Sequence, residues 1–472
     1  MSSTIVWFRQ DLRLADNPAL AAAGRRGTPI IPVFIFDPES EGRWAPGGAA
    51  RWWMHHSLYE LDNQLRGRGS RLIIRQGQTL DTLDELVRQS GADAVFWNRR
   101  YEPAARRQDE TIARNLKKRG LTVETFNATL LFEPDEVMNK QGEPYRVFTP
   151  YYHACLARGE PTAPLPPPHR LPSPQRWPDT LKLAELQLRP TIDWAGGLAE
   201  AWKPGETAAQ QCLKRFVTRA LNDYNEQRER PDLEGTSRLS PYLHWGEISS
   251  RQVWSAIRAE SGRDAEAFCR QLIWREFAHH LLYHFPRTPT KPLRPEFERF
   301  PWTRQRKLLS AWQRGRTGYP LVDAGMRQLW HTGWMHNRVR MVVASFLVKH
   351  LLIPWTAGAD WFWDTLVDAD LANNTFGWQW TAGCGADAAP YFRIFNPVGQ
   401  AERFDPDGEY VRRWVPELAR LPVPWIHRPW EAATALLEKS GVRLGHTYPE
   451  PIVEHSEARR LALAAYQQMR NT

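Results

Sequence analysis

The order of segments predicts an α/β N-terminal domain, a parallel sheet flanked by helices, followed by an all-α C-terminal domain. Three observations lead there. As far as Phe132, short apolar runs alternate with segments of helical period; a proline-dense stretch follows; from Glu206 onward helical periods stand alone.

The strand candidates are Thr4 to Phe8, Ile30 to Phe36, Arg71 to Arg75, Ala94 to Trp97 and Val123 to Phe126. Between them, Arg51 to Arg66, Leu80 to Gln89 and Ala104 to Arg119 carry apolar residues three and four apart. Such alternation implies parallel strands joined by helical crossovers. Eight prolines between Glu160 and Thr180, including Pro166, Pro167 and Pro168, suit an extended connector. Helical periods then run through Thr207 to Asn222, Ser249 to Ala259, Ala265 to His284 and Val322 to Leu352. The expected division is therefore 1–133 for the α/β domain, 134–205 for the linker and 206–472 for the helical domain.

Composition narrows the function. With 472 residues, 42% of them hydrophobic, the chain is long enough for two or three domains with buried cores. Its longest apolar stretches, Pro29 to Phe36 and Met341 to Val348, fall short of the roughly 20 residues that span a bilayer, so no membrane helix is expected. The opening Met1-Ser2-Ser3-Thr4 lacks the features of a secretory leader, and a cytoplasmic protein is expected. Four cysteines, Cys155, Cys212, Cys269 and Cys384, lie too far apart for a zinc knuckle and suggest reduced thiols. A net charge of +9 favours a polyanionic partner but is also met in many basic enzymes. The 23 tryptophans, fifteen of them after residue 241, are the anomaly. Most belong in a helical core, yet flat rings also stack bases or flavins and relay electrons.

Three clusters carry chemistry. Glu234-Gly235-Thr236-Ser237-Arg238-Leu239-Ser240-Pro241 sets hydroxyls and a glycine before a helical segment, which suits a phosphate. Alone, an ordinary cap followed by proline is the better reading. Asp368 to Trp380 gathers two carboxylates, two carboxamides and two indoles, costly to bury without a ligand bearing donors and a flat ring. Gly333 to Met341 places Asn337, Arg340 and Met341 near one helical face, with Arg338 pointing elsewhere, towards phosphate. No GxGxxG follows the first strand and no Walker loop occurs, so dinucleotide or triphosphate binding by those routes has no support.

Together these segments resemble the photolyase/cryptochrome family. The resemblance rests on TSRLSPYLHWGEIS, LIWREF, TGYPLVDAGMRQL, TGWMHNRVRM, DADLANNTFGWQW and DAAPYFRIFNPVGQ in that order, preceded by VWFRQDLRLADNPAL. It implies FAD held in the helical domain. Tyr224 and the loop Thr236, Ser237, Arg238, Leu239 and Ser240 would take the diphosphate side, with Arg275, Trp334, Arg340, Asp368 and Asp370 around the rest and Asn374 facing flavin N5. An asparagine there favours a fully reduced flavin and hence repair.

The implied reaction is light-driven electron transfer to a cyclobutane pyrimidine dimer in UV-damaged DNA, with the lesion flipped out of the duplex. By similarity Trp274 and Trp380 would pack on the dimer, while Arg228, Gln271, Asn337, Arg338, Met341 and Gln400 would contact DNA or lesion. Met341 favours a cyclobutane dimer over a (6-4) lesion. Gln271, where a glutamate is usual, is a departure that implies reduced efficiency. Trp378, Trp355 and Trp302 match an electron relay to the surface. Glu102 matches a folate-binding acid, and Trp52-Trp53 are placed to stack on a pterin, whereas Trp97 could equally be core. Methenyltetrahydrofolate is preferred as antenna over 8-hydroxy-deazaflavin. The rival readings are a cryptochrome-like light sensor, disfavoured by Asn374, Met341 and the lack of a long C-terminal extension, and a (6-4) enzyme. A non-light flavoprotein oxidoreductase lacks a nicotinamide fingerprint here. A monomer is expected.

Overall fold

The computed structural model describes residues 2–471. Five parallel strands, β1 (Ser3–Phe8), β2 (Ile30–Phe36), β3 (Ile73–Gln76), β4 (Ala92–Asn98) and β5 (Thr122–Phe126), form a sheet in the order β3-β2-β1-β4-β5. The expected α/β architecture is what is observed. Every residue of β1 and β2 is buried, as the near-continuous apolar runs require of parallel strands covered on both faces. Helices Gly48–Arg66, Thr79–Ser90 and Pro103–Lys118 occupy the expected crossovers.

The 134–205 segment is less of a connector than its prolines suggest. It contains the Phe148–Ala157 helix, whose Phe148, Tyr151 and Cys155 are buried against the Arg263–His284 helix of the following domain. A short Gly196–Ala201 helix precedes the buried Trp202. Beyond it the chain is helical, as expected, with Arg263–His284 running past Leu371–Ala382 and the latter past Trp355–Thr365. The single period read across Val322 to Leu352 is in fact Pro320–Thr332, Asn337–Ser345 and a π-helical turn Phe346–His350. The first break falls at Gly333, whose φ of 65° closes the preceding helix in the left-handed region that glycine adopts freely.

Buried polar side chains fasten the two domains. Glu206 accepts the backbone N–H groups of Leu14 and Ala15, and Glu276 accepts those of Leu131 and Phe132. In the other direction Arg13, 1% exposed, donates to the carbonyl of Gly246 across the interface and to those of Asp16 and Ala128 in its own domain. Each contact satisfies a backbone group that burial would otherwise leave without a partner. Among the described residues no helix is long and apolar enough to cross a membrane. All four cysteines are buried and unpaired.

Candidate active site

The acidic-amide cluster begins at a helix start. Asp370 caps Leu371–Ala382, accepting from the N–H of Asn373, and its other oxygen faces His279 at 3.3 Å and His244 at 4.0 Å. Burial pushes the Asp370 carboxyl up, but His279, His244 and Arg275 outweigh it and hold the group well below the usual carboxylate range. Beside it Asp368 takes two hydrogen bonds from the Arg340 guanidinium at 3.1 and 2.8 Å. Arg275 donates to Thr129 O and Ser250 Oγ, and Asn374 donates to Ala359 O at 3.1 Å. Two anions are thus fixed at the start of one helix, each with a cationic or imidazole partner. Neither histidine was singled out from the sequence; the spacing Arg275 to His279, four residues on one helix, was the available signal.

The hydroxyl loop lies over the same domain. Ser240 Oγ accepts from the Trp334 indole at 3.2 Å, and Ser237 Oγ accepts from the N–H of Leu239. Arg238, at a left-handed φ of 53°, sits 4.3 Å from the Trp202 ring and 5.3 Å from that of Trp334. Its Nε is buried without an acceptor, and burial lowers its pKa. A guanidinium clamped between two indoles and lacking a carboxylate is built to receive an anion. Thr236 is half-buried on this loop, and Tyr224 is buried nearer the Arg228 guanidinium, 5.2 Å from its ring.

On the rim, Trp274 is half-buried and stacked on Phe148, with centroids 3.5 Å apart and planes within 6°. Phe376 meets the same indole at 5.6 Å. Gln271, one turn earlier, accepts from Arg228 at 3.2 Å. Asn337 is exposed with its amide on Met341 Sδ, and Trp380 is half-buried next to the backbone of Ala389. Gln400 Oε1 is buried without a partner. Arg338 does not point freely outward. Glu229 binds its guanidinium at Nε and Nη2, and Phe404 lies 4.3 Å from it. A phosphate would have to compete with Glu229.

The three tryptophans expected to relay electrons lie on segments that touch at two points. Trp378 is buried against Trp355–Thr365: a Cβ on Gly358 would fall 2.0 Å from its ring, and Trp355 lies one turn before that glycine. Thr303, next to the half-buried Trp302, donates its N–H to Leu352, three residues before Trp355. Trp378 also meets Trp312 at 6.2 Å and Phe362 at 5.0 Å, neither singled out from the sequence.

In the α/β domain Glu102 is locked to Arg100, which Glu41 also binds. Arg100 and Glu41 line a small cleft with Asp37, Phe36, Gln108 and Trp245, at the carboxyl ends of β1 and β2. Trp53 cannot stack on a bound pterin. It is 0% exposed, packs edge-on against Trp202 and Tyr242, and donates to Glu247 at 3.1 Å. Trp52 is buried too and faces a different groove, with His56 and Glu60. Trp97 is core, edge-on to Trp7.

A parallel α/β domain fastened to a helical domain that offers a caged anion pair and a clamped arginine defines a two-domain protein built to hold a polar, anionic ligand. The residues fit FAD: the unpaired Arg238 suits the diphosphate, and Asp368, Asp370, Arg340 and Arg275 suit the polar edges of its ribose and ring. Residues 4–172 match the family model described as DNA photolyase, and residues 268–468 match the FAD binding domain of DNA photolyase. The chain belongs to the DNA photolyase family. It is 50% identical to the deoxyribodipyrimidine photo-lyase of Agrobacterium fabrum, over 99% of this chain and 98% of that one. It is 42% identical to cryptochrome-2 of Arabidopsis thaliana, over 99% of this chain and 79% of the plant protein. The crystal structure of a bacterial class III photolyase from Agrobacterium tumefaciens superposes with a TM-score of 0.97 at 49% identity, covering 100% and 98% of the two chains.

Proposed function

We propose that this protein repairs cyclobutane pyrimidine dimers in DNA under blue light. One observation carries the reading: the cage and the rim share the same two helices. Arg263–His284 presents Gln271 and Trp274 on the rim and Arg275 and His279 at the cage. Leu371–Ala382 starts at Asp370 and carries Trp380 three turns later. A flipped lesion on the rim is therefore held within one to three helical turns of the flavin site by rigid backbone.

FAD held among Arg238, Arg275, Arg340, Asp368 and Asp370 would, when reduced and excited, supply the one-electron chemistry that opens the cyclobutane ring, the electron being returned at the end. The chain's own residues bind and orient. Trp274 and Trp380 stack on the everted pyrimidines, an interaction worth about 1 to 3 kcal/mol per base that offsets the cost of flipping. Gln271, held by Arg228, presents a carboxamide to a thymine edge, while Asn337 and Met341 border the lesion. Asn374 faces the flavin ring, and Trp378, Trp355 and Trp302 return the protein to its reduced state from the surface. An antenna, methenyltetrahydrofolate in preference to a deazaflavin, occupies the cleft lined by Arg100, Glu41, Asp37 and Gln108, which offers polar partners beside the Phe36 and Trp245 rings. Glu102 serves it by holding Arg100.

Illumination of the purified flavoprotein with a thymine-dimer oligonucleotide tests this. Loss of the dimer is the expected result. Persistence of the dimer in protein carrying reduced flavin would leave the light-sensor reading that the cryptochrome relatives represent.

A further inference from the structure

From Arg299 to Val322 the chain carries Arg299, Arg304, Arg306, Lys307, Arg314 and Arg316 and no acid. The first four are exposed and, among the described residues, have no ion-pair partner. They bracket Trp302, which is half-buried on Phe300 at 4.3 Å and anchored through Thr303 to Leu352. The neighbouring acids do not cancel the patch: Glu298 is paired with Lys291, leaving Glu296 alone. Unpaired like charges concentrated around one partly exposed ring raise the potential there and steer an oppositely charged partner to it.

We propose that this face is the docking surface of an acidic one-electron carrier protein that re-reduces Trp302. The inference rests on the relay reading of Trp302. Electron-transfer complexes are small, short-lived and charge-steered, and a ring edge rimmed by cations suits them. In the step, light moves one electron from Trp302 through Trp355 and Trp378 to oxidised FAD, and the reduced carrier gives one electron back to Trp302. The carrier is oxidised by one electron and the flavin is reduced by one.

The test uses the full-length holoenzyme, reduced flavodoxin as the acidic carrier and dithiothreitol as a neutral donor, with dark controls. In R304E/R306E/K307E, flavodoxin-driven photoreduction should fall at least about tenfold, while the thiol-driven rate changes less than about twofold. Raising the salt should slow only the flavodoxin reaction in the wild type. In the dark, ¹⁵N-flavodoxin titrated with the wild type should show shifts at its acidic face that the triple variant abolishes. Equal flavodoxin rates and shifts in the two proteins overturn the proposal. So does a tenfold loss of damaged-DNA affinity in the triple variant, which would assign the patch to DNA. W302F separates the two readings: if thiol-driven photoreduction survives in it, the relay itself is wrong, whereas its loss there with an indifferent triple variant removes only the docking surface.

Discussion

Trp274 and Trp302 are alike in exposure and opposite in surroundings. Trp274 lies flat on Phe148, so its orientation is set before any substrate arrives. Trp274→Ala should weaken affinity for dimer-containing DNA by about 5- to 150-fold, the equivalent of one lost base stack, with flavin content unchanged. Fluorescence anisotropy beside an absorbance spectrum checks both, and unaltered affinity would remove Trp274 from the lesion site. Trp302 instead packs on Phe300 at 4.3 Å and is flanked by exposed cations, and the proposed relay would end there. Trp302→Phe should abolish photoreduction of oxidised enzyme yet leave repair by chemically pre-reduced enzyme intact; a repair defect would mean that the residue serves something other than the relay.

Residue-level legibility was uneven for a physical reason. Asp368, Asp370, Asn374 and Arg340 stood out because clustered polar groups are expensive to bury. His279, His244, Glu229 and Phe148 did not, because each matters only through a partner distant in the chain. Arg338 shows the limit well: its helical position pointed away from its neighbours, but nothing local revealed that Glu229 would meet it.

At the scale of elements, the meeting of Trp355–Thr365 with Leu371–Ala382 depends on a missing side chain. Gly358 leaves room for Trp378, and Gly358→Ala would force a methyl group into the ring. Overpacking of this kind costs about 1 to 3 kcal/mol, and chemical denaturation should register it together with slower photoreduction. Glu276 gives a second test. Burial pushes its carboxyl up to about 7 from an ordinary 4.5, although Arg275, His279 and the N–H groups of Leu131 and Phe132 oppose the shift. A group whose folded pKa is raised stabilises the protein fully below its unfolded value, and that contribution is lost as the pH climbs from 4.5 through 7. Its size is on the order of 3 kcal/mol. Glu276→Gln cannot titrate, so its urea midpoint should depend less steeply on pH between 5 and 7; parallel profiles for the two proteins would exclude this role.

The same scale shows where pattern reading succeeded. All five strands and three of the four crossover helices were visible, since short apolar runs and a period of three to four leave distinct signatures; the short Pro18–Arg25 crossover, half of it alanine, was not. The Phe148–Ala157 helix was hidden by the prolines downstream of it, and the break at Gly333 by an apolar pattern that continues across the turn.

At the scale of the whole molecule, net charge alone said little, because basic residues serve paired and unpaired roles alike. Arg100 and Arg340 are bound by carboxylates, whereas the cations around Trp302 are not. Affinity for DNA should nevertheless fall with salt, log K dropping linearly with log salt concentration, and reversing the charges around Trp302 should leave that slope unaltered.

The buried fastening between the domains has a further consequence. Excitation passed from one pigment to another by dipole coupling weakens steeply with separation and depends on the angle between the two transition moments. Glu206 and Glu276 accept backbone N–H groups of the opposite domain and Arg13 donates to the carbonyl of Gly246, so the separation of an antenna near the sheet from a flavin among the helices would be set by backbone contacts and not by mobile side chains. Were an antenna bound, the efficiency of transfer would follow from the packing between the domains.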